Sequence, residues 1–288
     1  MHRYVLYNED ITAAGEKILS PGQLGLLSGW GVFSTLRIYD GTPFAFERHW
    51  KRLVRDAAML HIELPHDAAA VRRNLLRLIE ANEAWNAPMR LCVLRSQGGA
   101  WEGPGSGRAS DLVAMTADLK GWQESVSLAI AEQGRHAASP FAGTKTLSWA
   151  HNLTMAENAQ RQGFDEVILL NERGEVAECT SANIFAVKDG ITSTPPLSSG
   201  PLPGVTRAVM LEELNAAGAP VREQVLRPDD LYAADEVFIT STTRELLPVH
   251  EIAGKQISTG GGSWPVMHEL QTALTAYIRR YIAQAKAA

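Results

Sequence analysis

Residues 31–62 hold the pattern that most limits how this chain of 288 residues can fold. Gly31–Tyr39 (GVFSTLRIY) is rich in β-branched and aromatic residues, which predicts a strand. The dipeptide Asp40-Gly41 comes next and is typical of a tight hairpin turn. From Glu47 to Ile62 apolar residues recur three or four positions apart, which predicts an amphipathic helix. Because a strand, a turn and a helix follow one another directly, we expect a mixed α+β fold.

The rest of the chain also mixes strands and helices, without an internal repeat. Further strands are predicted at Tyr4–Tyr7, Met89–Arg95, Asp111–Ala117, Ser125–Glu132, Glu166–Leu170, Asn183–Val187 and Glu236–Thr240. Further helices are predicted at Asp67–Glu83, Ala150–Gln162, Gly204–Ala217 and Val266–Ala285. A turn region at 118–123 predicts a linker between a small N-terminal domain, 1–117, and a larger C-terminal domain, 124–288. The glycine-rich run 98–107, which includes Trp101, is expected to form a lid over a pocket.

Composition and charge argue against several classes of function. The net charge is −5 and no run of Lys and Arg occurs, so we expect no nucleic-acid partner. No stretch approaches the roughly 20 apolar residues of a membrane span, and no signal peptide is apparent, so a cytoplasmic location is expected. The two cysteines and eight histidines show no metal-ligand spacing, so no metal site is predicted.

Two charged residues stand in segments that suggest chemistry. Lys145 lies in FAGTKTLSW, and a lysine whose pKa is lowered by its surroundings can act as a Schiff-base nucleophile. A solvated surface lysine is the alternative. Glu178 lies in VAECTSANIF, which is otherwise apolar and strand-forming. Since a buried carboxylate needs a cationic or hydrogen-bonding partner, Glu178 predicts such a partner nearby.

Three places could bind a phosphate group. Gly204–Thr206 predicts a helix N-terminus, whose backbone N–H groups attract anions, although a threonine that merely caps the helix is common. Ser241–Thr243 offers hydroxyl groups at the end of a strand, as many ordinary turns do. Arg52 could bind a phosphate with two hydrogen bonds, unless it belongs to a solvated helix face with its charged neighbours.

These blocks, taken in order, resemble the fold-type IV (class IV) pyridoxal-phosphate enzymes. The resemblance covers almost the whole chain, in GWGVFSTLRIYDGTPFAFERHWKRL, GTKTLSWAHNLTMAENAQRQGFDEVILLNERGEVAECTSANIFAVKDG, TPPLSSGPLPGVTR and ADEVFITSTTRELLPV. That group includes branched-chain aminotransferases, D-amino acid aminotransferases and aminodeoxychorismate lyases. The resemblance implies two domains, with pyridoxal 5′-phosphate in the interdomain cleft and its lysine on the C-terminal domain. It also implies a homodimer or a higher homo-oligomer.

The resemblance further implies a role for single positions. Lys145 matches the Schiff-base lysine that also moves the proton, and Glu178 matches the partner of the pyridine nitrogen. Leu202 matches the side chain against the ring face. The phosphate contacts are implied at Arg52, Val205, Thr206 and Thr242, and the substrate contacts at Phe33, Arg37, Arg90, Thr242 and Thr243.

The substrate stays open between several alternatives. The D-amino acid enzymes carry an Arg-x-His pair in the loop after the strand at 89–95, where this chain has Ala100–Glu102, which argues against D-specificity. Arg90 matches an arginine of the branched-chain enzymes, although a structural arginine fits equally well. Two departures from the branched-chain pattern are Phe33–Thr35 in place of Phe-Glu-Gly and Trp149 near the place of a tyrosine.

The expected activity is therefore transfer of an amino group between a branched-chain L-amino acid and a 2-oxo acid such as 2-oxoglutarate. The alternatives are an aminodeoxychorismate lyase, which eliminates pyruvate, and a D-amino acid or R-amine transaminase. The segment at Glu178–Asn183 is slightly closer to the lyases, whereas TPPL and LPGVTR are closer to the aminotransferases.

Overall fold

The computed structural model describes residues 1–101, 107–215, 218–257 and 262–287, and the chain groups into two units. Unit 1 comprises Met1–Lys120, Thr144–Trp149 and Arg280–Ala288, and unit 2 comprises Gly121–Gly143 and Ala150–Arg279. The first boundary falls within the linker predicted at 118–123. The structure differs from the predicted division at 144–149, the segment of Lys145, and at 280–288, since both belong to unit 1.

Thr144–Trp149 belongs to unit 1 because it pairs with a strand of that unit. Leu147 N–H donates to the carbonyl oxygen of Gly31 at 2.9 Å, and Phe33 N–H donates to that of Lys145 at 3.0 Å. The strand and the segment that it binds are more than 100 positions apart, so no local signal could predict this pairing.

Unit 1 is built on a six-stranded antiparallel sheet in the order β2-β1-β6-β5-β3-β4. Its strands are β1 (Tyr4–Tyr7), β2 (Asp10–Ala13), β3 (Gly31–Tyr39), β4 (Thr42–Pro43), β5 (Ala87–Arg95) and β6 (Ser110–Thr116). The strand β3 has the bounds that the sequence predicts. It ends where Asp40 and Gly41 take φ of 47° and 75°, because a tight hairpin turn needs positive φ there.

Three helices accompany this sheet: α1 (Leu24–Leu27), α2 (Phe46–Met59) and α3 (Ala68–Ala81). Asp67 caps α3, since its carboxylate accepts the N–H of Ala70 at 2.7 Å. Leu53 on α2 and Leu75 on α3 pack with Leu36 of β3 in the main core of unit 1.

The opposite face of the same sheet carries a smaller apolar cluster. Because side chains alternate along a strand, Phe33 points away from the helices that cover its neighbours. It packs with Cys92, Leu94 and Val113, and Trp149 lies against the same cluster. One face of β3 therefore packs in the main core with α2 and α3, and the other face packs in the smaller cluster that contains Phe33.

Unit 2 is built on a nine-stranded mixed sheet in the order β12-β11-β10-β13-β14-β7-β8-β9, with β15 paired to β14. Its strands are β7 (Val126–Ala131), β8 (Glu166–Leu170), β9 (Val176–Cys179), β10 (Asn183–Lys188), β11 (Ile191–Thr194), β12 (Val221–Glu223), β13 (Glu236–Ser241), β14 (Glu245–Ile252) and β15 (Lys255–Gln256). The sequence does not predict β2, β4, β9, β11, β12, β14 or β15. Most of these have only two to four residues, too few for an alternating pattern to stand out.

The helices of unit 2 are α4 (Ala150–Arg161), α5 (Val205–Val209), α6 (Pro228–Tyr232) and most of α7 (Pro265–Ala287). A π-helical turn, Met210–Leu214, continues α5. The end of α7 belongs to unit 1, where the Tyr281 hydroxyl donates to the Glu47 carboxylate at 2.7 Å. Residues 216–217 of the helix predicted at 204–217, and 102–106 of the predicted lid, lie outside the described residues. Within the described ranges, no helix combines the length and apolar character needed to cross a membrane.

Candidate active site

Lys145 lies in the segment that pairs with the edge of β3. Its backbone N–H donates to Asp56 Oδ2 at 3.1 Å, so a buried carboxylate of α2 holds the backbone at this position. The side chain is half-buried, and Nζ lies 4.6 Å from the centroid of the Phe33 ring and 5.6 Å from that of Trp149. Lys145 is thus held among aromatic rings, and the alternative of a fully solvated lysine does not apply.

The Phe33 ring is approached by two cations. Besides Lys145, the guanidinium carbon of Arg90 lies 4.7 Å from the ring centroid. Arg90 pairs with Thr35 across β3 and β5, so it projects from the same sheet face as Phe33. The Phe33 and Trp149 rings meet edge to face, with centroids 5.9 Å apart. The structure therefore brings together Lys145, Phe33 and Arg90.

Arg52 belongs to α2, which covers the face of β3 opposite to Phe33. It is 8% exposed, so it does not belong to the solvated helix face. Its Nη2 donates to the Ser34 hydroxyl oxygen at 2.9 Å, and this oxygen lies 2.8 Å from Nδ1 of His49. Burial first, and then the positive charges of Arg52 and Lys145, hold the pKa of His49 well below its usual value. The imidazole in this network is therefore neutral at pH 7.

Arg37 follows Phe33 on the same face of β3 but has different surroundings. Its guanidinium carbon lies 4.7 Å from the centroid of the Tyr39 ring. The contacts of the described residues thus place Arg37 against Tyr39 and not in the group around Phe33.

Glu178 lies on β9 of unit 2 and is 5% exposed. Its Oε1 accepts hydrogen bonds from Nε and Nη2 of Arg135, at 3.0 and 2.7 Å. Its Oε2 accepts the backbone N–H of Leu202 at 3.1 Å. The partner that a buried carboxylate needs is thus present as Arg135, which the sequence did not single out. A carboxylate can accept about four hydrogen bonds, so Oε2 retains capacity for one more donor.

The segment that follows Leu202 forms the start of α5. Gly204 is the residue that caps this helix, and no side chain caps it within the described part of unit 2. A Cβ on Gly204 would lie 2.0 Å from Asn183 Oδ1, so a larger residue here would displace the Asn183 side chain. Asn183 also donates to the Leu202 carbonyl oxygen at 2.9 Å. The capping residue is therefore Gly204 and not Thr206, and the described residues supply no side-chain cap to the first N–H groups of the helix.

Thr242 and Thr243 lie in the turn between β13 and β14, and both are half-buried. The Thr243 carbonyl oxygen accepts the indole N–H of Trp122 at 3.0 Å. The guanidinium carbon of Arg244 lies 4.2 Å from the centroid of the Trp122 ring. Arg244 in turn pairs with Glu166 at 3.4 Å. Trp122 thus contacts both the Thr243 carbonyl and the side chain of the next residue in the turn, Arg244.

Comparison with known proteins shows the family to which the chain belongs. The family model described as "Amino-transferase class IV" matches residues 31–252. The chain belongs to the class IV aminotransferases. Enzymes of this family depend on pyridoxal phosphate (PLP), so the predicted fold class, enzyme class and cofactor are confirmed.

The relatives of this class IV aminotransferase are named for different substrates. A D-alanine aminotransferase from Bacillus licheniformis is 31% identical over 94% of this chain and 95% of its own length. The crystal structure of the Escherichia coli branched-chain amino acid aminotransferase is similar with a TM-score of 0.88 and 26% identity, over 96% of this chain and 95% of that one. The PLP-bound form of an aminotransferase from Mycobacterium tuberculosis has a TM-score of 0.85 and 25% identity, over 96% and 98%.

The residues present in this aminotransferase fit PLP, which carries a phosphate, a pyridine nitrogen and an aldehyde. Lys145 supplies an amine for the aldehyde, and the Glu178 carboxylate retains room for an N–H donor. Groups of a kind that can bind phosphate are present in each unit: the Arg52 guanidinium in unit 1, and the backbone N–H groups at the start of α5 in unit 2. Within the described ranges, no group of three or more His, Cys, Asp or Glu side chains is placed to hold a metal ion.

Four polar residues around these groups were not among the predicted site residues: Ser34, His49, Asp56 and Arg135. A signal existed for His49, because it stands three positions before Arg52 and therefore on the same helix face. No local signal marks Arg135, which stands 43 positions from Glu178. Sequence reasoning could have found the first but not the second.

Proposed function

We propose that this class IV aminotransferase transfers the amino group of a branched-chain L-amino acid to a 2-oxo acid such as 2-oxoglutarate. The observation that carries this proposal is the Phe33 ring, with Lys145 Nζ at 4.6 Å and the Arg90 guanidinium at 4.7 Å from its centroid. The amine thus lies beside an apolar aromatic surface, which suits a hydrocarbon side chain. It also lies beside a guanidinium, which suits a carboxylate.

The catalytic role falls to Lys145. We assign it to bind the cofactor covalently through Nζ and to carry the proton between the substrate Cα and the C4′ carbon of the cofactor. Bound PLP supplies an electron sink for the charge that develops on Cα. The Glu178 carboxylate would bind the protonated pyridine nitrogen, and its ion pair with Arg135 supports this role because it orients the carboxylate.

The remaining predicted residues are assigned to binding. Leu202 would contact the cofactor ring, and Arg52, Val205, Thr206 and Thr242 are assigned to its phosphate. Phe33, Arg90, Thr242 and Thr243 are assigned to the substrate. Arg37 stays a predicted substrate residue, although its contact with Tyr39 favours a role in bracing β3.

A second candidate function is D-amino acid transamination, which the relative from B. licheniformis favours. The sequence that follows β5, SQGGAWEGPGSGR, contains no Arg-x-His pair of the kind expected in D-specific enzymes. For this reason we place the branched-chain L-amino acids first.

The test is the absorption spectrum of the purified holoenzyme before and after separate additions of L-leucine, D-alanine and R-1-phenylethylamine. We expect the visible band of bound PLP to bleach with L-leucine. Bleaching with D-alanine or the R-amine alone would refute the proposal in favour of that substrate, and a band that responds to none would favour the lyase. The control is Lys145→Ala, for which we expect no turnover and no covalent cofactor, because no other group is assigned to that bond. Full activity of this variant would contradict the role of Lys145.

The cytoplasmic location and the homodimer are also part of this proposal. Cell fractionation tests the first, and the sedimentation of the holoenzyme in solution tests the second.

A further inference from the structure

Three side chains of unit 1 form a hydrogen-bonded chain that we call the relay: His49, Ser34 and Arg52. His49 and Arg52 stand on α2, and Ser34 stands on β3. Their exposed fractions are 2%, 1% and 8%, so all three are shielded from water. The Ser34 oxygen is the central atom, 2.9 Å from Arg52 Nη2 and 2.8 Å from His49 Nδ1.

The chemistry of the groups sets the direction of the relay. A guanidinium can only donate, so the Ser34 oxygen accepts from Arg52. The same oxygen has a second lone pair, but among the described residues His49 Nδ1 is the acceptor available to the Ser34 O–H, and Nδ1 can accept only when the imidazole is neutral. Burial and the charges of Arg52 and Lys145 lower the pKa of His49 and so maintain that neutral form. The lowered pKa of His49 therefore favours the neutral imidazole that the hydrogen bond from Ser34 requires.

The His49 ring has a second feature that points to its function. Within the described residues, its buried Nε2 has no hydrogen-bond partner. A buried polar atom without a partner is destabilising, so an aliphatic side chain would be more stable here if packing were the only need. Among the described residues, the hydrogen bond that the imidazole makes runs from Nδ1 to the Ser34 hydroxyl, which points to a role at Ser34.

We propose that Ser34 and His49 are positioning residues that orient the Arg52 guanidinium for the phosphate group of the cofactor. This inference rests on the proposed role of Arg52. The serine hydroxyl fixes the angle of Nη2, and the imidazole fixes the hydroxyl. Without the relay Arg52 keeps its charge but loses one of the bonds that hold its orientation, so the phosphate contact weakens while the contacts of the cofactor ring do not.

The experiment compares the affinity of the apoenzyme for PLP with its affinity for pyridoxal, which has no phosphate. Both ligands can form the same covalent bond with Lys145, so the ratio of their dissociation constants isolates the phosphate contact. We expect Arg52→Gln to lower the preference for PLP most. Ser34→Ala and His49→Leu should each lower it about fivefold, the scale of one hydrogen bond.

Conservative and distant variants separate positioning from general damage. Ser34→Thr keeps a hydroxyl and His49→Asn keeps a hydrogen-bonding atom near the place of Nδ1, so both should retain most of the preference. The matched control is Ser96→Ala, which removes a buried hydroxyl of unit 1 that binds Asp111 at 2.5 Å, not Arg52. It should lower the thermal stability of the apoenzyme and leave the ratio unchanged.

The outcomes distinguish this inference from the proposed function. If Arg52→Gln leaves the ratio unchanged, the phosphate role of Arg52 fails, and the relay fails with it. If Arg52→Gln lowers the ratio but Ser34→Ala and His49→Leu do not, only the relay is refuted. If these two variants weaken PLP and pyridoxal equally, their role is structural and the relay is again refuted.

Discussion

Each unit of the molecule holds a buried charge that we assign to the cofactor, and the two charges are supported in different ways. In unit 1 the Arg52 guanidinium donates to a neutral hydroxyl, which is backed by a neutral imidazole. In unit 2 the Glu178 carboxylate is held by the Arg135 guanidinium and by a backbone N–H. Ser34 and His49 support the charge of Arg52 with neutral hydrogen-bonding groups, whereas Arg135 brings an opposite charge to Glu178.

Because of this difference, we expect substitutions and a lower pH to affect the two regions differently. Removing one member of a buried ion pair leaves a charge behind, which costs more than the loss of a neutral hydrogen bond. A neutral imidazole beside two cations responds to acid, because its protonation would add a third positive charge. We therefore expect the ion pair to dominate the effects of substitution and the relay to appear in the dependence on pH.

The largest expected effect is that of Glu178→Gln, which removes the negative charge assigned to the pyridine nitrogen. We expect the variant to retain PLP and to lose kcat on the order of 100-fold, the scale of one electrostatic or acid–base group. Single-turnover kinetics with the substrate deuterated at Cα should place the loss in the proton transfer. The matched control is Glu175→Gln, which breaks another glutamate–arginine pair of unit 2, with Arg173 at 2.8 Å, and should keep kcat. Equal losses in both variants would show that Glu178 acts through stability alone.

The next effect is the coupling between Arg135 and Glu178 in the free energy of unfolding. Arg135→Gln alone should cost about 3 kcal/mol, the lower end for a broken buried pair, because the Arg135 side chain is 28% exposed. A double-mutant cycle with Glu178→Gln, followed by denaturant unfolding of the apoenzyme, should give a coupling of about 2 kcal/mol. The same cycle on Ser34→Ala and His49→Leu should give about 1 kcal/mol or less. A larger coupling in the relay than in the ion pair would reverse the comparison.

The last effect is the dependence of stability on pH that we assign to His49. Its pKa in the folded protein lies well below the 6.5 of the unfolded chain, so below pH 6.5 the unfolded state binds a proton that the folded state excludes. The free energy of unfolding should therefore fall as the pH drops through 6.5, by at most about 1.4 kcal/mol per pH unit, until the folded pKa is reached. His49→Asn should remove this contribution, and Ser34→Ala, which retains the histidine, should keep it. Unfolding curves of the apoenzyme between pH 5 and 8 measure both, and an unchanged slope in His49→Asn would contradict the neutral imidazole.

The sequence predicted several elements closely and missed others for a physical reason. The strand β3 and the helix α3 carry their period and their end signals within a few residues, namely the turn at Asp40-Gly41 and the cap at Asp67. Short strands such as β9 and β11 carry too few residues for a period. The segment of Lys145 was predicted with the C-terminal domain, but its pairing with β3 places it in unit 1.

The candidate site divides in the same way. Lys145, Glu178 and Arg52 could be named from the sequence, because a lysine, an apolar-flanked carboxylate and an arginine on an amphipathic helix are each local features. The sequence by itself also determined the family, since that rests on ordered blocks of residues. Only the tertiary structure decided the partners: Arg135 for Glu178, 43 positions away, and Ser34 for Arg52, 18 positions away. A local pattern is encoded by neighbouring residues, whereas the partner of a buried polar group depends on which strand and helix the folded chain places beside it.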